Sequence, residues 1–272
     1  MVLSPERLRT HTAAGRDIEP ELRTPSPRQG PPRSEGIGIS LRGLDKDFGS
    51  VSVLKSLDLD IEPGQFLAIV GKSGCGKSTL LRLLVDLDAP SGGRIEFVGG
   101  DGQETTANKR IVFQEPRLLP WASIGDNVAV GLGPRAGKDR RVSEALDAVQ
   151  LSEKRDEWPA RLSGGQRQRA ALARALVSQP DFLAMDEPLG ALDALTRITM
   201  QGLVEQVWLE QGFTALFVTH DVSEAVVLAD RVIVLSEGKV TLDLNIDLPR
   251  PRTRGSIEVA ALGRQLLEAI FR

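Results

Sequence analysis

The chain has 272 residues, 41% of them hydrophobic, a formal net charge of −3 and one cysteine. That length accommodates one large domain, or a domain with a subdomain, around a sizeable core. The charge argues against a nucleic-acid binder, the single cysteine excludes an internal disulfide and points to a reducing compartment, and no apolar run approaches the ~20 residues that span a bilayer.

Residues 1–36 are expected to be a disordered tail, because Pro5, Pro20, Pro25, Pro27, Pro31 and Pro32 interrupt mixed charges that lack any apolar period. His11 sits there without ligand partners, and no hydrophobic leader core opens the chain. Any membrane attachment is therefore expected through partners. Order is expected from Ile37. Ile37, Ile39 and Leu41 alternate as a strand does, and Leu57, Leu59 and Ile61 alternate again before the turn Glu62-Pro63-Gly64. Between them lies Asp47-Phe48-Gly49. Phe48 is a candidate platform for an adenine ring in a chain without tyrosine, the alternative being a core or turn phenylalanine.

Gln65 to Val70 reads as a buried strand and Thr79 to Leu84 opens a helix. Gly71-Lys72-Ser73-Gly74-Cys75-Gly76-Lys77-Ser78-Thr79 between them fits the phosphate-binding P-loop pattern. Its glycines let the backbone curl with amides inward, over the positive end of the following helix. Lys77 is expected to reach the β- and γ-phosphates, and the Ser78 hydroxyl to bind Mg²⁺. Cys75 reads as a small residue at a tolerant loop position rather than a redox group.

A turn at 89–93, a strand at 94–97 and a turn at 99–102 follow, then a strand at 111–113 that ends at Gln114. Leu118-Leu119-Pro120-Trp121 is an exposed-looking apolar cluster, a candidate dock for a helix of a membrane partner or else ordinary packing. Residues from about 115 to 178 read as an inserted helical subdomain, with Val142, Ala145, Leu146 and Val149 at helical spacing and a second helix from Gly165 to Val177. Apolar strands then end at Asp186-Glu187 and at His220, and a third runs over 231–235, joined by helices over 195–211 and 222–229. This alternation predicts an α/β sheet with its ligand loops at the strands' C-terminal ends. A last helix is expected over 256–271, after a basic run of Arg250, Arg252 and Arg254 expected to be solvated.

Two further pieces narrow the chemistry. An apolar strand ending in Asp186 supplies a carboxylate for Mg²⁺, and Glu187 next to it can polarise a water. Leu162-Ser163-Gly164-Gly165-Gln166 offers a second anion site at a helix start.

With these residues the chain resembles the ATP-binding cassette (ABC) family over about Ile37 to Ser236, and Leu162 to Gln166 matches the family's signature. The resemblance implies an α/β P-loop NTPase (RecA-like) core with an antiparallel β subdomain and an inserted helical subdomain. The ABC ATPase domain would span 37–245, and a C-terminal extension with a helix 246–272. It implies ATP and Mg²⁺ as cofactors. Phe48, the loop from Gly71 to Thr79, Gln114, Ser163, Gly164, Gly165, Gln166 and Asp193 would hold nucleotide. Ser78, Gln114 and Asp186 would hold the metal, and Lys77, Glu187 and His220 would be catalytic. Phe48 takes the place usually held by tyrosine. The family pattern also implies a head-to-tail homodimer, with each ATP between one subunit's P-loop and the other's signature.

Within the family the chain looks like ATPase subunits of bacterial importers for aliphatic sulfonates. Arg117 to Trp121, Glu157 to Ala160, Leu189 to Arg197 and Asp247 to Arg252 carry that likeness. It implies two permease subunits, a solute-binding protein acting indirectly, and a peripheral place on the cytoplasmic face of the inner membrane. Taurine- and nitrate-type importers remain alternatives. A soluble ABC ATPase of another class fits less well, because only roughly 85 residues separate Lys77 from Ser163, too few for a long coiled coil. A P-loop kinase or GTPase has no use for the signature. The tail and Val85-Asp86-Leu87, which puts an acid where glycine is common, depart from the pattern.

Overall fold

The computed structural model describes residues 36–133 and 140–271. The tail expected over 1–36, apart from Gly36 itself, and His11 lie outside the described residues. In chain order the elements are β1 (Gly38–Phe48), β2 (Val51–Ile61), β3 (Phe66–Val70), α1 (Lys77–Leu84), β4 (Gly92–Val98), β5 (Lys109–Val112) and α2 (Ile124–Ala129). Then come α3 (Arg140–Ala148), α4 (Gly164–Leu176), β6 (Phe182–Asp186), α5 (Ala194–Gln211), β7 (Thr214–Val218), α6 (Val222–Leu228), β8 (Arg231–Ser236), β9 (Lys239–Asn245) and α7 (Ile257–Phe271).

The strands form two sheets. An antiparallel one has the order β2-β1-β4 and a mixed one the order β5-β6-β7-β3-β8-β9. In the first, Ile39 pairs with Ile61 and Leu41 with Leu59, so the two short alternating runs are the far ends of one long hairpin. Register shifts between Leu41 and Asp47 break its period of two, which hid the rest of the hairpin from pattern reading. In the second sheet β3 and β7 are buried along their whole length, as inner strands covered on both faces must be.

The edge strand β9 was not anticipated, although Lys239-Val240-Thr241-Leu242-Asp243-Leu244-Asn245 alternates polar and apolar as an edge strand does. It runs antiparallel to β8 after a turn in which Glu237 and Gly238 both have positive φ (48° and 80°). A Cβ on Gly238 would lie 2.4 Å from the Val53 carbonyl, so this turn abuts the antiparallel sheet.

The sheet order decides where the chemistry sits. β5, β6, β7 and β3 are neighbours and mutually parallel. Gln114, Asp186-Glu187, His220 and the P-loop follow those four strands, so motifs far apart in sequence line one edge.

Asp86 now has a physical account. α1 ends with Leu87 N–H donating to Arg82 O (2.9 Å) and Asp86 N–H donating to Leu83 O (3.2 Å), which leaves Asp86 at φ 58°. That left-handed position is the usual place of glycine in a helix stop. Asp86 pairs with Lys109 Nζ at 2.7 Å, worth up to about 1 kcal/mol, which offsets part of a backbone cost of roughly 1–2 kcal/mol.

Two expectations need correction. The basic run is not a solvated surface: Arg250 and Arg252 are bonded into the space between α5, α6 and β9. Leu118 and Leu119 of the apolar cluster are half-buried, Leu118 against the main core, and only Pro120 and Trp121 stand out, Trp121 at 71% exposure.

Candidate functional site

The P-loop is shaped by what stands behind it. Gly71 has φ 153°, and a Cβ there would lie 2.2 Å from Leu235 O. Gly76 has φ 109°, and a Cβ there would meet Leu54 at 2.8 Å. β8 and β2 thus press the loop from two sides, which only glycine tolerates. A Cβ on Gly74 would meet open space, on the side left for a ligand. Cys75 is buried, with Sγ 3.8 Å from Lys77 Nζ, so its position is packed rather than tolerant.

Lys77 is 7% exposed, and its ammonium donates to Gly71 O (2.8 Å) and Lys72 O (2.9 Å). Among the described residues it forms no salt bridge. A buried cation held by carbonyl dipoles and a thiol, rather than by a paired carboxylate, is poised for an anion, because an opposite charge is what repays its desolvation. α1 begins at Gly76 without a side-chain cap, so its first amides face the same space.

Ser78 Oγ donates to Asp186 Oδ1 at 3.0 Å. Burial pushes the Asp186 carboxyl above the usual carboxylate range, while the Ser78 bond pulls it down. Two hard oxygen donors in contact suit Mg²⁺, which takes one or two protein ligands and completes its shell with water and phosphate oxygens. Among the described residues no group of three or more acidic, histidine or cysteine side chains could hold a metal alone.

Glu187 follows at φ 45°, a strained value for a side-chain-bearing residue, held by its N–H donating to Val218 O (2.9 Å). Its Oε2 lies 3.1 Å from His220 Nδ1. A Cβ on Gly190 would stand 3.3 Å from Gln114 Nε2 and 3.7 Å from Glu187 Oε2, so Gln114 and Glu187 flank one glycine. Here, then, the Ser78 hydroxyl, the Gln114 and His220 side chains and a carboxylate pair converge beside a buried ammonium.

Ser163 to Gln166 stand apart from this group. Ser163 Oγ accepts from Gln166 N–H, and Gln166 Oε1 accepts from Ser163 N–H at 2.9 Å, a complete capping box at the start of α4. A Cβ on Gly165 would lie 2.4 Å from Thr196 Cγ2, so α4 begins against the first turn of α5. Asp193 caps that turn, and the Thr196 bonds hold its carboxyl below the usual range. No hydrogen bond joins Ser163 to Gln166 with the P-loop among the described residues. Phe48 is half exposed at the end of the β1–β2 hairpin, with Lys46 Nζ 4.7 Å from its ring centre.

Three further residues organise the segment after Gln114, and no sequence pattern marked them. Gln168 on α4, 2% exposed, donates to Phe113 O (3.0 Å). Arg174 on α4 donates to Pro116 O and Arg117 O, both at 2.7 Å. Asn127 is fully buried, accepts from Leu119 N–H and donates to the carbonyls of Leu119, Ala122 and Ser123. A long polar side chain inside the apolar run from Ala170 to Val177 is the signal that could have found Arg174; Gln168, between Arg167 and Arg169, carries no such signal.

A profile of the ABC transporter family matches residues 54–190. The chain belongs to this family. It is similar to the aliphatic sulfonates import ATP-binding protein SsuB 1 of Rhizobium johnstonii, 61% identical over 244 residues that cover 88% of each chain. The SsuB protein of Rhodopseudomonas palustris strain BisA53 is 59% identical over 241 residues, 88% of this chain and 85% of that one. Among solved structures, the cbiO1 component of the Clostridium perfringens cbiONQ ABC transporter complex superposes with a TM-score of 0.69 at 30% identity, covering 76% of this chain and 88% of that one. The ATP-binding cassette MJ0796, a dimer bound to ADP and Pi in a post-hydrolysis state, gives 0.66 at 30% identity, covering 78% and 100%. The ABC fold implied by the sequence resemblance is the fold observed. No helix among the described residues is long and apolar enough to cross a membrane.

Proposed function

We propose that this ABC ATPase is the ATP-hydrolysing subunit of a bacterial importer for aliphatic sulfonates, seated on the cytoplasmic face of the inner membrane. The observation that carries the proposal is 61% identity over 88% of both chains to a sulfonate-import relative. In this reading residues 37–245 are the ATPase domain, about 115–178 its helical subdomain and 246–272 an extension.

The chemistry follows from the site. The loop from Gly71 to Thr79 wraps the triphosphate, Lys77 turns from its loop carbonyls to the β- and γ-phosphates, and Phe48 stacks on adenine. Ser78 and Asp186, with Gln114, hold Mg²⁺, which neutralises phosphate charge when bound. Glu187 accepts the proton of a water whose oxygen attacks the γ-phosphorus, and ADP leaves as the bond to its β-phosphate oxygen breaks. His220, 3.1 Å from Glu187, meets the γ-phosphate. Ser163, Gly164, Gly165 and Gln166 complete the site of a second copy, and Asp193 lies where the two copies meet. Two permease subunits dock near Trp121, and a solute-binding protein delivers the solute to them.

The test replaces the gene by a Glu187→Gln allele. Growth on an alkanesulfonate as sole sulfur source should stop while growth on sulfate continues, and the purified variant should bind ATP yet hydrolyse it about 10²–10⁴-fold more slowly. Normal growth on the sulfonate removes the transport assignment. Normal hydrolysis removes Glu187 as the base.

A further inference from the structure

The half-buried arginine run packs along the helix that follows His220. α6 begins just past His220, and the segment from Ile246 to Arg254 lies along that helix in the opposite direction. Arg250 donates to Glu205 (2.6 Å), Asp230 (2.7 Å) and Leu228 O (2.6 Å), near the helix end. Arg252 donates to Val226 O (2.9 Å) and to Ala229 O, satisfying carbonyls that the end of α6 leaves free. Its remaining donors tie the segment to itself at Ile246 O (3.0 Å) and Leu248 O (3.1 Å). Arg254 then arrives at the first turn of α6, its Nη2 3.9 Å from both Asp221 Oδ2 and Glu224 Oε1 and hydrogen-bonded to neither, so it acts there as a charge.

Glu224 is 3% exposed. Its Oε2 accepts from Thr219 Oγ1 at 2.7 Å, and that hydroxyl in turn accepts from Asp221 N–H at 3.0 Å. Thr219 and Asp221 are the two neighbours of His220, so its backbone is fixed on both sides while its ring stays exposed. Asp221 also caps α6 through Ser223 N–H and Glu224 N–H. The other charge facing Glu224 is Arg197 of α5, with Nε at 3.6 Å. Two guanidiniums therefore face two carboxylates.

We propose that Arg254, together with Arg197, is a positioning residue for ATP hydrolysis: its charge steadies Glu224, the anchor from which Thr219 and Asp221 place His220. The inference rests on the reading of His220 as the group that meets the γ-phosphate. The C-terminal extension is then part of the catalytic apparatus of its own subunit. Burial pushes the Glu224 carboxyl upward, and the Thr219 bond and the two arginines oppose that push while Asp221 adds to it. Losing Arg254 leaves a buried acid that protonates more readily, and a protonated Glu224 holds the Thr219 hydroxyl less firmly.

The test measures ATP hydrolysis by the full-length chain and its variants. Arg254→Gln should lower kcat about fivefold with KM for ATP within about twofold and Tm within about 2 °C, and should move the acid limb of the kcat–pH profile to higher pH. Arg254→Lys should recover at least half of the lost kcat. In a His220→Ala background, Arg254→Gln should have no further effect, because the residue acts through His220. Unchanged kcat in Arg254→Gln overturns the inference and leaves the ATPase reading intact. A loss that multiplies with His220→Ala, or a loss explained by a fall in Tm, also overturns it. Full activity in His220→Ala alone overturns both the inference and the His220 assignment beneath it.

Discussion

Two helix starts read from the sequence as anion sites are built in opposite ways. At α1 the cap is Gly76, no side chain occupies the first amides, and Lys77 lies buried against the loop's own carbonyls. β2 and β8 close in from behind, so one chain builds nearly the whole cradle. At α4 the cap is Ser163, its hydroxyl and Gln166 already satisfy each other, and the exposed Gly164 has nothing within 4 Å of a Cβ. That start is capped by its own side chains, and its Gly164 faces outward. In the proposed function the first is the receptor and the second the lid that another copy supplies.

The largest effect should come from emptying the receptor. Lys77→Ala removes the buried cation of the loop, and nucleotide binding or turnover should fall at least about 100-fold by nucleotide titration and phosphate release. Full turnover in that variant would sink the P-loop assignment. Ser163→Arg attacks the lid instead. ATP should still bind within about threefold of the unchanged chain, while hydrolysis falls at least about tenfold and the ATP-dependent dimer disappears from sedimentation profiles. Hydrolysis at the normal rate would mean that each subunit works alone.

The smallest effect probes the strain stored in the receptor. Burial raises the folded-state value of Asp186 above its unfolded one. The folded chain then holds this proton more tightly, so stability falls as pH rises from the unfolded value through the folded one. At neutral pH Asp186→Asn should therefore raise the Tm of the nucleotide-free chain by about 2 °C while removing the stabilisation by ATP with Mg²⁺. A drop in Tm without nucleotide would show that the Ser78 bond outweighs the desolvation.

Much of this was readable along the chain. The P-loop, the signature, the strand ending in Asp186-Glu187 and the helix over Ala194–Gln211 are local patterns, set by steric freedom, caps and apolar spacing within a few residues. Local pattern failed where neighbours in space overrode it. Bulges in the long β1–β2 hairpin erased its alternation, whereas β9 keeps a plain polar–apolar alternation.

The arginine run is the sharpest case. Nothing within a few residues of Arg250, Arg252 and Arg254 distinguishes a solvated run from a buried one. Their partners come from Glu205, from the carbonyls of α6 and from Asp230, brought close only when α5, α6 and β9 pack. A charge is buried or exposed according to what meets it, and those meetings span 20 to 45 residues of chain. Residue chemistry and spacing thus named the parts of the site. Parallel pairing of β5, β6, β7 and β3 set those parts side by side, because sheet order is a long-range choice that no short window of sequence contains.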